Sequence, residues 1–214
     1  MKNKLQFGET VSGYNIPVVN EREIRATAGI MFLATLISFF LIIHNHDFVP
    51  IKYVIIIFMI DFSIRLFVSP KFSPLLILGR FFVRNQNPEY VGAPQKKFAW
   101  GIGLFLSILM FLLLVLLNTY SVITGLTCFV CLILMFFESA FGVCIGCKLY
   151  GWINKEKAQY CPGEICEVNQ KQDIQKISVN QWFIFLGFVV FVVILAFVFN
   201  DAFKIMPTDL FKKL

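Results

Sequence analysis

Uncharged apolar runs alternate with short polar segments along nearly the whole chain. Four of them, residues 26–43, 98–117, 119–137 and 182–199, contain no charged residue. A hydrocarbon core about 30 Å thick is crossed by about 20 helical residues, so each run has the length of a membrane span or nearly so. A fifth run, 48–69, is strongly apolar but interrupted by Asp61 and Arg65. The pattern predicts five transmembrane helices. The first follows 25 mostly polar residues and lacks a small-residue cleavage signature, which marks it as a retained span rather than a signal peptide. Between the second and third spans, "KFSPLLILGRFFVR" is apolar with Arg80 and Arg84 four apart. It predicts a short helix lying in the membrane interface with its arginines at phosphate level.

Composition agrees with that pattern. Of the 214 residues, 58% are hydrophobic, only 15% are charged and 26 are Phe, whereas soluble domains carry about 25% charged residues. One soluble core of this size cannot hide so much apolar surface, so the bilayer is the expected solvent. The net charge of +6 does not point to nucleic acid, because no ordered basic and aromatic surface accompanies it. It follows membrane topology instead. The N-terminal segment (Lys2, Lys4, Arg22, Arg25), the loop 70–97 (Lys71, Arg80, Arg84, Lys96, Lys97) and residues 148–181 (Lys148, Lys155, Lys157, Lys171, Lys176) hold fourteen of the nineteen basic residues. The connections "HNHD" at 44–47 and "NTYS" at 118–121 hold none. The N-terminus is therefore expected in the cytoplasm. Lys204, Lys212 and Lys213 in the tail run against this rule if the last segment crosses. The expected organisation is a cytoplasmic segment (1–25), a four-helix membrane core (26–153), a cytoplasmic cysteine-containing loop (154–181), a fifth span (182–200) and a tail (201–214).

Chemistry concentrates in "FGVCIGCKLYGWINKEKAQYCPGEIC", which holds Cys144, Cys147, Cys161 and Cys166. On the predicted topology these four thiols face the reducing cytoplasm, where thiol exchange or metal binding is favoured over a structural disulfide. Cys-x-x-Cys lets one thiol resolve a mixed disulfide formed by the other. Read as one helix, residues 119–147 span roughly 43 Å at 1.5 Å per residue. That places Cys144 late in the helix, where the dipole disfavours a thiolate. A helix break at Gly142 or Gly146, and the positive field of Lys148, would relieve this. Cys144, Cys147, Cys161 and Cys166 are also close to the spacing of a four-thiolate zinc or iron site. Cys128 and Cys131 are expected only to pack in the bilayer, and His44 and His46 to be solvated beside Asp47. Within the spans, Asp61 and Arg65 share a helix face, and with Glu138 they are expected to form a charge network.

"DFSIRLFVSPKFSPL" at 61–75, "FAWGIG" at 98–103 and "ESAFGVCIGCKLYG" at 138–151 resemble a family of bacterial integral membrane proteins catalogued as domain of unknown function 4395. The resemblance covers roughly residues 20 to 153 by its motifs. It implies a four-helix membrane core with Asp61, Arg65, Glu138, Cys144 and Cys147 at motif positions, and an association with thioredoxin-like or sulfurtransferase partners. Fold and residues together lead to one expectation: an all-α inner-membrane bundle with a thiol-redox or sulfur-relay role through Cys144 and Cys147. A small transporter of a sulfur-containing anion, with Arg65 as the anion contact, and a structural protein with a metal-stabilised loop are the alternatives. The substrate, the redox partner and the oligomeric state are not encoded in these patterns.

Overall fold

The computed structural model describes residues 7–154 and 177–209. Helix α1 (Glu21–Asn45) begins where the Asn20 side chain accepts the Arg22 N–H, and Glu21 and Glu23 occupy its positive first turn. Helix α2 (Val49–Ser63) continues without interruption into a wider π turn, Ile64–Val68. Lys52, Asp61 and Arg65 therefore ride on one continuous element. A 3-10 turn at Pro70–Phe72 leads to α3 (Pro74–Val83), capped by Ser73. Helix α4 (Ala93–Met110) also continues as a π turn, Phe111–Leu116. Helix α5 (Val122–Phe141) opens on a Ser121–Thr124 capping box and closes at Gly142, whose φ of 65° is left-handed. Helices α6 (Ile145–Asn154) and α7 (Val179–Lys204) complete the described helices. Two short strand pairs fasten the ends. β1 (Val18–Asn20) lies antiparallel to β2 (Tyr90–Gly92), and β3 (Thr119–Tyr120) lies parallel to β4 (Thr208–Asp209).

The long helices alternate in direction, so the bundle has two chemically different ends. The basic end gathers the starts of α1, α4 and α7, the ends of α2 and α5, and the short helices α3 and α6. The far end holds the turn after α1, the start of α2, Asn118 and the end of α7. α7 is pinned at both. Gln181 Nε2 donates to the Lys71 carbonyl at 2.9 Å, and buried Lys52 donates to Asn118 Oδ1 at 2.7 Å and to the Ile205 carbonyl at 3.1 Å. The last segment thus runs the full length of the bundle.

Helices α1, α4 with its π turn, α5 and α7 are long and apolar enough to cross a membrane. α2 with its π turn has comparable length but carries charge. Among the crossing helices, at most 28% of the apolar window is buried, and only 6% in α7, where Phe197 is 85% exposed. Apolar surface of that extent needs lipid as its solvent. The all-α membrane bundle expected from the sequence is the observed fold.

α3 is the expected short helix, and it packs on α1: Leu75, Leu76, Ile77 and Gly79 are buried, and a Cβ on Gly79 would collide with Thr27 Oγ1. Two local expectations change. Arg80 points inward to Glu23 at 3.0 Å rather than to phosphate level, because Glu23 is buried and requires a cation. Arg84 does stay at the surface, stacked over Phe81 at 4.9 Å. Finally, residues 119–147 are not one helix, since Gly142 ends α5 and three residues pass before α6.

Candidate functional site

Gly142 determines the geometry of the cysteine pair. With the helix broken there, Cys144 precedes α6 instead of trailing α5. Its Sγ accepts the Cys147 backbone N–H at 3.3 Å, and its carbonyl accepts the Lys148 N–H at 3.2 Å. That is an N-capping position, so the helix dipole favours negative charge on the Cys144 sulfur. The sequence-based objection to a thiolate at Cys144 is thereby reversed. Cys144 is buried and Cys147 half-buried, and both are free thiols. The Cys147 thiol is pushed well up, first by its hydrogen bond to Cys144 and then by burial, while Lys96 pulls it down.

Position is fixed by close packing. A Cβ on Gly146 would lie 2.7 Å from Ala99 Cβ and 2.8 Å from Ala99 Cα, so only glycine lets α6 approach α4 this closely. Arg25 donates to the carbonyls of Ser139 and Ala140, satisfying groups left open at the end of α5.

Lys96 lies beside this pair and carries the local charge balance. It is 1% exposed, with Nζ 2.7 Å from Glu21 Oε2 and 2.8 Å from Glu138 Oε1, and its charge interacts with both sulfurs. The sequence pattern puts Lys96 in the loop 70–97, two residues before an apolar run. The start of α4 at Ala93 draws it into the bundle instead. Glu21, five residues before the first apolar run, and Lys52, inside the fifth, are further buried charges that the sequence pattern did not single out.

Asp61 and Arg65 pair as their spacing requires, and both are buried. Asp61 Oδ1 also accepts the Ser73 hydroxyl at 2.6 Å and the Leu75 N–H at 2.9 Å, while Arg65 Nε donates to Ser73 Oγ at 3.2 Å. The guanidinium lies over Phe62 and Trp100, 5.0 and 5.2 Å from their centroids. This pair locks the start of α3 to the end of α2. The expected three-member network is therefore divided. Glu138 joins Lys96, and no hydrogen bond or ion pair links it to Arg65 among the described residues.

Arg65 and Glu138 meet only as two walls of one cavity of about 110 Å³ between α1, α2, α4 and α5, which Cys128 and Cys131 also line. Cys128 is buried beside Ile51, Ile55, Met110 and Leu114 instead of facing lipid. His44 and His46 are exposed, as expected. Cys161 and Cys166 lie outside the described residues, and with them half of the expected four-thiolate zinc or iron site. No three His, Cys, Asp or Glu side chains gather as a metal site among the described residues.

The long apolar helices, with buried charge gathered at their ends, define a polytopic α-helical membrane protein. Residues 19–155, more than half of the chain, match the family described as domain of unknown function DUF4395, and the chain belongs to that family. No curated protein and no solved structure matches it.

Proposed function

We propose that this protein is a thiol–disulfide exchange protein of the cytoplasmic (inner) membrane, its N-terminus and basic end in the cytoplasm. The observation that carries the reading is Cys144 Sγ at the start of α6, accepting the Cys147 N–H beside buried Lys96. In this reading Cys144, as thiolate, attacks one sulfur of a substrate disulfide. A mixed disulfide forms as the substrate S–S bond breaks, and the first substrate sulfur leaves as a thiolate that takes its proton from solvent. Cys147 then gives up its proton, attacks Cys144 Sγ and releases the second substrate thiol. The protein ends as the Cys144–Cys147 disulfide, two electrons having passed to the substrate. A dithiol protein of the thioredoxin type restores it, and a sulfurtransferase would engage the same thiolate as a persulfide donor. The excess of basic residues at this end supports the orientation.

The anion-transport alternative has less support, because the charge of Arg65 is already matched by Asp61. A maleimide gel-shift on intact cells, quenched in acid, tests the reading. Two thiols that react only after reduction, and lose that behaviour in Cys144→Ser and in Cys147→Ser, are the expected result. Free reaction of both thiols without reductant, under every growth condition, would overturn it.

A further inference from the structure

The cavity between α1, α2, α4 and α5 is unusually rich in sulfur. Cys and Met make up 12 of the 214 residues of the chain but 5 of the 21 around this cavity: Cys128, Cys131, Met31, Met110 and Met135. Cys128 and Cys131 are three apart on α5, share its inner face and both line this cavity. Met110 lies in the same buried cluster as Cys128. A second cavity, of about 330 Å³, lies towards the far end and is lined by His46, Ser121 and Met206. Ile51, Met110 and Cys128 line both cavities, so two sulfur side chains stand where one gives way to the other. Soft donors therefore follow one another from the far end into the middle of the bundle.

Thiolate and thioether ligands select soft cations such as copper(I), which accept two or three ligands. Zinc takes four, and hard cations need several oxygen ligands, whereas the one carboxylate lining this cavity, Glu138, is engaged by Lys96. We propose that Cys128 and Cys131, with the Met110 thioether, form a binding site for a soft monovalent cation of the copper(I) type, reached through the far-end cavity. Binding replaces two thiol protons, which leave to solvent by the same route. The two sulfurs and the cation carry one net negative charge, in a cavity whose two charged walls, Arg65 and Glu138, are each already paired, with Asp61 and Lys96. The site does not depend on the exchange reading of Cys144 and Cys147.

The test uses the full chain in detergent, reduced and without oxygen, titrated with silver(I) and with copper(I) against the chelator bicinchoninate. A variant carrying Cys144→Ser, Cys147→Ser, Cys161→Ser and Cys166→Ser retains only the cavity cysteines. It should still bind one equivalent, unaffected by excess zinc, and the bound ion should protect Cys128 and Cys131 from a membrane-permeant alkylating reagent. Cys128→Ala added to that background should abolish binding. The volume-conserving Met110→Leu, which preserves folding, should weaken it at least about tenfold. No binding by the four-serine variant, or binding that ignores both further substitutions, would overturn the proposal. The exchange reading of Cys144 and Cys147 would stand in either case.

Discussion

Cys128-x-x-Cys131 and Cys144-x-x-Cys147 have the same spacing, sit sixteen residues apart in the chain, and occupy opposite chemical settings. The first pair lies inside an unbroken helix, where the backbone N–H groups are already used and the sulfurs line a mostly apolar cavity. The second stands at the start of a helix, where the Cys147 N–H donates to the first sulfur and a buried lysine lies alongside. Spacing gives both pairs the same reach. The local backbone decides which can carry charge.

The comparison is broken most severely at Lys96. Lys96→Met leaves buried Glu21 and half-buried Glu138 without their cation, and should lower stability by about 3–5 kcal/mol, measured by unfolding in detergent. In the fraction that remains folded, alkylation of Cys144 and Cys147 should change while that of Cys128 and Cys131 does not. Next in size is Gly146→Ala. Its new methyl meets the Ala99 backbone, and the overpacking should cost about 1–3 kcal/mol and expose Cys144 to faster alkylation.

A control on the other pair sharpens the contrast. Gly125, one turn before Cys128, has open space around its Cβ position. Gly125→Ala should therefore stabilise α5 by about 0.5–1 kcal/mol and leave both cysteine pairs as reactive as before. The smallest effect expected is one of rate. The hydrogen bond to Cys144 is the main cause holding the Cys147 thiol protonated. In Cys144→Ala that cause is gone, the thiolate fraction rises at a given pH, and Cys147 should alkylate faster at mildly alkaline pH than in the parent. An unchanged or slower rate would mean that burial alone controls it.

The architecture was largely legible in the sequence because a bilayer imposes a length. Uncharged runs of sufficient length have few alternatives to a crossing helix, and all four lie in helices long and apolar enough to cross. The Asp61–Arg65 pair was legible for a similar reason, since four residues on a helix fix a neighbour. The candidate site was only half legible. Cys144 and Cys147 could be picked out by spacing, but their helix was assigned the wrong way round, because a left-handed Gly142 and a tightly turned continuation look alike until the packing selects one. Arg80 was sent to the lipid surface because nothing local reveals that Glu23 waits on another helix.

What the sequence determined by itself was therefore whatever depends on near neighbours: span lengths, their order, the excess of charge at one end and the pairing within α2. Tertiary structure decided everything that depends on how helices turn towards one another. It gave Lys96 its two carboxylates, 42 and more residues away, separated Glu138 from Arg65, and turned Cys128 inward to a cavity. The physical reason is that burial of charge is costly and must be matched across helices, and such a match is a property of packed surfaces that spacing along one chain does not contain.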